Sequence, residues 1–285
     1  MSRTPAARNT PRAGTRSRGP GPVIVGILNV TPDSFSDGGE FFDPESAAHH
    51  AATMLDEGAG IIDVGGESTR PGSDPVPQEE EARRVLPVIE RILAVRPDAV
   101  ISIDTYRAGT AAAALETGAR LVNDVTALRG DPRMASVVAE AGCPVVLMHM
   151  KGEPKTMQKE PRYENVVGEV REFLARRAEY AVESGVRSEN VIVDPGIGFG
   201  KNLEHNLALL RALDVLVNLG FPILVGASRK RFIGTLTGVE EARERVFGTV
   251  AATVLAYEKG ARFFRVHDVR ANRDALAVAE AMLRA

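Results

Sequence analysis

Residues 23–30 read VIVGILNV, a short run rich in valine and isoleucine. Similar runs follow along the chain: IIDVGG at 61–66, VISIDT at 100–105, LVNDV at 121–125, PVVLMH at 144–149, VIVDP at 191–195, PILVGAS at 222–228 and FFRVHD at 263–268. Short, continuous apolar runs are typical of strands that are buried on both faces, as in a parallel sheet. The sequence therefore predicts eight parallel strands.

Helical patterns separate these strands. They lie at 44–58, 78–95, 108–117, 131–141, 163–184, 203–219, 240–259 and 270–284. Eight alternating strand and helix units predict an α/β fold of one domain, a (β/α)8 TIM barrel, which we place at residues 22–285. A doubly wound open sheet has the same alternation and is the alternative, because periodicity does not show whether a sheet closes.

The N-terminal segment 1–21 has a different composition from the rest of the chain. It carries five arginines, three prolines and no acidic residue. We expect a disordered extension here rather than a targeting peptide, because the segment lacks the apolar face of an amphipathic helix.

The remaining composition excludes several classes of protein. The whole chain has a net charge of −3 despite this basic tail, so the residues after the tail are acidic overall. Such a charge makes general binding of nucleic acid unfavourable, because binding phosphates requires clustered positive charge. No apolar stretch approaches the roughly 18–20 residues that span a bilayer, so we expect no membrane association. The single cysteine, Cys143, excludes an internal disulfide and fits a reducing, cytoplasmic location.

Polar side chains cluster at the carboxyl ends of the predicted strands. They are Asn29, Asp63, Glu67, Thr69, Arg70, Asp104, Asn123, Asp124, His149, Asp194, Ser228, Arg229, Lys230, Arg265 and His267. In a barrel all eight strand ends meet at one mouth, where active sites are built. A single polar strand end is commonly a cap or a turn residue, but eight together predict a functional mouth.

The polar residues suggest the chemistry of a ligand. Asp104, Asn123 and Asp194 offer oxygens that suit a heterocycle rich in N–H donors, such as an amino-pyrimidinone ring. The cations and donors suit a phosphate or carboxylate; they are Thr69, Arg70, Lys230, Arg265 and His267. Loops 31–39 and 67–73 are rich in Gly, Pro and Ser and are predicted to be mobile lids. Any metal would be Mg²⁺, bound mainly through substrate phosphates.

Several long motifs occur in one order along the chain. They are GILNVTPDSFSDGG (26–39), DVGGESTRPGS (63–73), SIDT (102–105), ND (123–124), LMHMKGEPKTMQ (147–158), DPGIGFGK (194–201), GASRKRFIG (226–234) and RVHDV (265–269). Together they closely resemble the dihydropteroate synthase family of folate biosynthesis. The resemblance implies a (β/α)8 barrel, a homodimer, and a Mg²⁺-assisted transferase. Its reaction would join 6-hydroxymethyl-7,8-dihydropterin diphosphate to 4-aminobenzoate, giving 7,8-dihydropteroate and pyrophosphate. A family of this kind would be a target of sulfonamides.

The resemblance also assigns roles to individual residues. It implies that Asn29 is the Mg²⁺ ligand, and it assigns pterin binding to Asp104, Asn123, Asp194 and Lys230. Arg265 would lie over the pterin ring and, with His267, reach the diphosphate. Phe35 and Pro71 would shape the 4-aminobenzoate pocket, with Phe199 on its wall, and Thr69 and Arg70 would belong to the second substrate-binding loop. Catalysis is thereby expected from Lys230, Arg265, His267 and Asp104, through a dissociative mechanism with no protein nucleophile.

One position departs from the family pattern, and two other functions are open. Many family members have a serine where this chain has Arg231, which can pair with the aminobenzoate carboxylate or point away from it. A non-catalytic pterin-binding paralogue is the main alternative. A methyltetrahydrofolate:corrinoid methyltransferase-type barrel is another, although it would not need the loops at 31–39 and 67–73.

Overall fold

The computed structural model describes residues 21–31, 43–68, 75–152 and 155–284. Its strands are β1 (Val23–Asn29), β2 (Ile61–Gly65), β3 (Ile101–Asp104), β4 (Leu121–Asp124), β5 (Val145–Met148), β6 (Val191–Asp194), β7 (Leu224–Val225) and β8 (Phe263–Val266). All neighbouring strands are parallel, in the order β6-β5-β4-β3-β2-β1-β8-β7. A parallel bridge between Val193 and Ile223 brings the two ends of the sheet together. The sheet is thus a nearly closed barrel, as predicted, and the open-sheet alternative is wrong.

Helices surround the barrel. They are α1 (Pro44–Asp56), α2 (Gln78–Val95), α3 (Ala108–Thr117), α4 (Met134–Ala141), α5 (Val166–Glu183), α6 (Leu203–Arg211), α7 (Leu213–Val217), α8 (Arg231–Thr237), α9 (Val246–Glu258) and α10 (Val269–Arg284). The helix predicted at 203–219 is divided into two at Ala212, and the one predicted at 240–259 begins only at Val246. The seven-residue α8 was not predicted, because it is too short for a periodic signal and contains Gly234.

Local capping explains where two of the helices begin. The Asp43 carboxylate accepts hydrogen bonds from the backbone N–H groups of Glu45 and Ser46, so α1 begins at Pro44. At α6, the Asn202 side chain accepts from the backbone N–H of His205, and the His205 ring accepts from the Asn202 backbone. His205 therefore has a capping role and lies outside the predicted mouth.

The barrel interior is filled in two layers of different polarity. The lower layer is apolar and draws on most of the strands; its buried members are Val25, Ile61, Leu121, Val146, Ile192 and Leu224, with Val23 and Phe263 against them. A cavity of only about 10 Å³ remains on the axis, and above it lie the polar side chains of Asp63, Ser102 and Asn123. The barrel is consequently packed below and polar toward the carboxyl ends of its strands.

Some of the residues singled out in the sequence lie outside the described part of the chain. These are the N-terminal segment 1–20, most of loop 31–39 with Phe35, and Thr69, Arg70 and Pro71 of loop 67–73. Within the ranges that the structure describes, no helix is both long enough and apolar enough to cross a membrane. Cys143 is buried and unpaired.

Candidate active site

An arginine at the carboxyl end of β8 holds the floor of the barrel mouth together. The Arg265 guanidinium donates from Nε to Asp63 Oδ2 at 2.6 Å and from Nη2 to Asp104 Oδ2 at 2.7 Å. Asn123 Nδ2 donates to the same Asp63 oxygen at 3.0 Å. Strands β2, β3, β4 and β8 thereby contribute to one hydrogen-bonded group, which fixes the plane of the guanidinium.

Burial and charge act against each other in this group. Burial raises the pKa of Asp104 to about 7, although the neighbouring Arg265 favours the ionised carboxylate. Burial alone would lower the pKa of Arg265, but the carboxylates of Asp63 and Asp104 outweigh it and raise that pKa. The guanidinium therefore stays charged, and its charge offsets part of the cost of burying the Asp104 carboxylate.

Two buried oxygens beneath this floor face a space that suits one water molecule. Asp63 Oδ1 and Ser102 Oγ have no hydrogen-bond partner among the described residues. Asp63 and Ser102 are register partners on β2 and β3, and both line the axial cavity of about 10 Å³. A cavity of this size holds about one water, which would satisfy both atoms.

A second carboxylate and a lysine stand beside the arginine. Asp194, at the end of β6, is 5% exposed and accepts from the Gly196 N–H at 2.7 Å. Burial raises the pKa of Asp194, whereas the charge of Lys230 opposes that change. Burial also lowers the pKa of Lys230 to about 8. The Lys230 ammonium donates to the Ile197 carbonyl and lies 4.4 Å from the centroid of the Phe199 ring.

The loop that carries Ile197 and Phe199 approaches neighbouring backbone so closely that it requires glycine. A Cβ at Gly196 would lie 1.9 Å from the His149 carbonyl oxygen, and a Cβ at Gly200 would lie 2.2 Å from that of Lys151. Both glycines also have positive φ angles, of 66° and 63°. The motif DPGIGFGK, which fits no phosphate-binding fingerprint in the sequence, is thus a tightly seated wall of the mouth.

Two adjacent pairs of contacts join the end of β8 to the segment after β7. The His267 backbone N–H donates to Ser228 Oγ at 3.1 Å, and Ser228 Oγ lies 2.9 Å from His267 Nδ1. Since the hydroxyl keeps one proton to donate, we assign Nδ1 as its acceptor. Arg229, whose φ is +57°, forms a forked ion pair with Asp268. These contacts orient His267 and place Lys230, which follows Arg229.

An apolar patch next to Phe199 was not predicted. Met148, Met150, Met157 and Val125 form a buried cluster, with Phe199 and Tyr106 packed against it. Three methionines give an adaptable surface that suits a flat ring. Met148 ends β5 just as the polar candidates end their strands, but an apolar residue at the end of a buried strand gives no sign in the sequence that it lines a site.

Three polar residues at strand ends turn away from the mouth. Asp124 accepts from the N–H groups of Thr126 and Leu128 and stabilises a turn. Glu67 binds Arg107 at 2.6 Å and Tyr106 at 3.0 Å, beside α3. His149 is 6% exposed, with its Nδ1 at 2.9 Å from Lys201 Nζ.

The comparisons with known proteins agree with this geometry. The model of the pterin-binding enzyme family matches residues 25–267. A dihydropteroate synthase of Synechocystis is 47% identical over 261 residues, which cover 92% of this chain and 90% of that protein. The chain belongs to the dihydropteroate synthase family. Members of this family are transferases of folate biosynthesis.

Solved dihydropteroate synthases share the fold over nearly the whole chain. The Xanthomonas albilineans enzyme with 4-aminobenzoic acid is 48% identical, with a TM-score of 0.88 over 93% of this chain and 94% of that one. The same species' enzyme in complex with 7,8-dihydropteroate is 45% identical, with a TM-score of 0.85 over 93% and 95% of the two chains. The motifs of the sequence therefore identified the dihydropteroate synthase family correctly.

The described residues also bear on how a dihydropteroate synthase of this sequence would hold a metal ion. Asn29 ends β1 and is half-buried, so its side-chain oxygen suits one ligand position of Mg²⁺. In the four described ranges, no three His, Cys, Asp or Glu side chains form a metal-binding group.

Proposed function

We propose that the mouth of this barrel performs the dihydropteroate synthase reaction with the residues described above. It would condense 6-hydroxymethyl-7,8-dihydropterin diphosphate with 4-aminobenzoate, forming 7,8-dihydropteroate and pyrophosphate. The observation that carries this assignment is the Arg265 guanidinium, fixed between Asp63 and Asp104 next to the buried Asp194 and the half-buried Lys230. A ring with both donors and acceptors would complement the carboxylate of Asp194, the amide of Asn123 and the amino group of Lys230.

The pterin would occupy the polar floor. The free Asp194 oxygen and the Asn123 amide match the amino-pyrimidinone edge, since a carboxylate accepts and an amide both donates and accepts. Lys230 would donate to a ring acceptor from beside Phe199. The guanidinium of Arg265, held flat by two carboxylates, would stack on the ring. A ring without those donors would leave buried polar groups unpaired, at about 1–3 kcal/mol each.

The chemical step would be dissociative. The bond between the pterin methylene carbon and the diphosphate oxygen breaks, and the departing pyrophosphate takes the electron pair. Arg265 and His267 would stabilise its negative charge, while the Asp104 carboxylate stabilises the cationic pterin. The amine of 4-aminobenzoate then attacks the methylene carbon and gives its proton to pyrophosphate or water. The protein would contribute position and electrostatics rather than a nucleophile.

The aminobenzoate would bind at the side of the mouth where Phe199 and the methionine cluster lie. We propose that Phe35 and Pro71 complete this pocket, that Thr69 and Arg70 bind substrate from the 67–73 loop, and that Asn29 ligates Mg²⁺. The ion would neutralise charge on the diphosphate when bound. Arg231 is exposed at the first position of α8, which favours the interpretation that it points away from the pocket.

A homodimer is proposed from an apolar face on α9. Phe247 is 86% exposed and Leu255 is 61% exposed, and with the exposed Ala251 they repeat every four residues along one side of the helix. Leu236 of α8 and Met282 of α10 are also exposed. An apolar face of this kind marks an interaction surface, and a second copy would cover it with the same face.

The decisive experiment follows both products, pyrophosphate and dihydropteroate, from the two substrates with and without Mg²⁺. We expect turnover that depends on both substrates, and Asp194→Asn should abolish binding of the pterin diphosphate in calorimetry. Glu172→Gln, an exposed change on α5, is the control and should behave as the wild type. Pterin diphosphate binding without turnover would indicate the non-catalytic paralogue, and absence of binding would overturn the site.

A further inference from the structure

A buried lysine that the proposed mechanism does not use lies behind the wall of the mouth. Lys201 is 2% exposed and ends the DPGIGFGK segment. Its Nζ donates to the Phe199 carbonyl at 2.9 Å and to the His149 carbonyl at 3.3 Å, and it lies 2.9 Å from His149 Nδ1. All three partners of this amino group are therefore within the protein, and burial lowers the pKa of Lys201 well below its ordinary value.

His149 is held in a form that suits this contact. Its ring is packed edge-on against Phe173, with 4.8 Å between ring centroids. Burial and the neighbouring Lys201 lower the pKa of His149 to about 2, so the ring is neutral and can accept at Nδ1. Lys201 thus connects the end of β5 to the loop after β6. It contacts the ring and the carbonyl of His149 on one side and the carbonyl of Phe199 on the other.

The segment that Lys201 binds also positions Phe199 and contacts Lys230, two residues that are predicted to bind substrate. Phe199 is directly bound through its carbonyl, and the Ile197 carbonyl accepts from the Lys230 ammonium. The Gly198 N–H is fixed from the other side by the Asn206 side chain at 2.7 Å. Removing one of these anchors would free the Phe199 ring and its contact with Lys230.

We propose that Lys201, paired with His149, is a positioning residue that sets the Phe199 wall against the 4-aminobenzoate site. This role rests on the proposed function, in which Phe199 lines that site. The hydrogen bonds of Lys201 go to Phe199 and His149 and to none of Asp104, Asn123 and Arg265. The pair therefore acts directly on the wall of the second substrate, and on the pterin only indirectly, through the contact of Lys230 with the same loop.

Lys201→Met tests this role, because methionine keeps the length of the stem and removes the three donors. We expect the KM for 4-aminobenzoate to rise about tenfold or more, with the KM for the pterin diphosphate changed less than about threefold. Val88→Ala on α2 is the control, since Val88 is fully buried on the far side of the barrel from this loop. It should lower Tm while leaving both KM values unchanged.

Substitutions of His149 separate positioning from simple packing. His149→Asn keeps an acceptor near the position of Nδ1, so its KM for 4-aminobenzoate should stay close to the wild-type value. His149→Leu fills similar volume without an acceptor and should reproduce part of the Lys201→Met effect. Equal KM values for these two variants would mean that the contact with Lys201 has no positioning role.

Hydrogen exchange measures the loop independently of turnover. In Lys201→Met, the peptide containing residues 195–201 should exchange faster than in the wild type, while peptides of α2 should not change. Exchange at the wild-type rate, or a uniform rise across the molecule, would overturn the proposal. A wild-type protein that makes no dihydropteroate would overturn the proposed function instead, and the exchange rates would still decide the role of Lys201.

Discussion

Lys230 is partly exposed, but its ammonium lies against the Ile197 carbonyl and the Phe199 ring, where its charge is poorly solvated. Its pKa is lowered to about 8 by burial, with Asp194 opposing the shift. A lysine is cationic below its pKa and neutral above it, so the attraction of Lys230 for an anionic or acceptor group is lost as the pH rises through about 8. The residue therefore links substrate binding to pH.

We expect kcat/KM for the pterin diphosphate to fall as the pH rises above about 8, because this parameter reports the ionisation of the free enzyme. Steady-state rates from pH 6.5 to 9.5 would show the decline. Lys230→Arg should be less active at pH 7 but lack this inflection, since arginine keeps its charge. A wild-type profile that is flat to pH 9.5 would contradict the assignment.

Asp63 supports the floor without being among the binding residues expected from the motifs. Asp63→Asn keeps its volume but removes the charge that holds Arg265 and introduces an amide that can donate. We expect kcat/KM to fall about 10- to 100-fold, because the guanidinium loses its fixed plane.

Asp124→Asn is the matched control for that substitution. Asp124 is equally buried and ends β4, two strands away from β2, but its oxygens bind turn backbone. It should lower the denaturation midpoint with little change in kcat/KM. Similar kinetic losses in both variants would show that Asp63 acts through general stability.

Sequence position could identify most of the floor because barrel strands alternate and end at one edge. Asp104, Asn123, Asp194, Lys230 and Arg265 were found in this way, and the structure brings them together. Lys201 could not be found, since it follows a glycine-rich loop whose path depends on close backbone contact. Nor could sequence position separate Asp124, which turns away, from Asn123, its neighbour in the chain.

At the scale of elements, a buried ion network joins the end of β2 to α2 and α3. Glu81 of α2 is 1% exposed and accepts from the hydroxyls of Thr105 and Thr110. Arg107 reaches Glu81 with one guanidinium nitrogen at 3.2 Å and Glu67 with another at 2.6 Å. Arg107 also donates to the Val76 carbonyl, so it draws together the two ends of the 67–76 segment.

Arg107→Met should lower the free energy of unfolding by about 3–5 kcal/mol, because it leaves the buried Glu81 carboxylate without its cation. Urea denaturation would measure the loss. The double variant with Glu81→Gln should recover part of it, since the uncompensated charge is then absent. A double variant as unstable as the sum of the two single variants would show that the residues do not interact.

The elements whose bounds the sequence predicted well are those with a long helical pattern or a continuous apolar run. β1, α2 and α3 begin and end within a residue of their predicted bounds. The segment after β7 was predicted least well, since β7 has only two residues and α8 follows within the SRKRFIG motif. Its geometry depends on contacts with β8, such as that between Arg229 and Asp268, which local patterns do not contain.

The proposed homodimer is a property of the whole molecule. Phe247→Glu places a charge at the centre of the apolar face on α9 and should dissociate the dimer, because a buried unpaired charge is costly. Sedimentation velocity at micromolar concentration would show one protomer of 30.5 kDa in place of two. Val95→Glu, on another exposed apolar residue, at the end of α2, should leave the mass unchanged. A monomeric wild type would rule out the dimer.

The apolar layer across the barrel axis has a consequence for the sequence of events in one turnover. Val25, Leu121 and Ile192 seal the interior beneath the polar floor, so the described strands leave no passage through the far end. A molecule that binds at the floor must therefore bind before one that binds nearer the rim. The molecule at the rim also blocks dissociation of the molecule at the floor. The depth of the barrel would therefore impose an ordered binding of substrates, with the pterin first and 4-aminobenzoate second. An aminobenzoate that stayed bound would delay the binding of the next pterin.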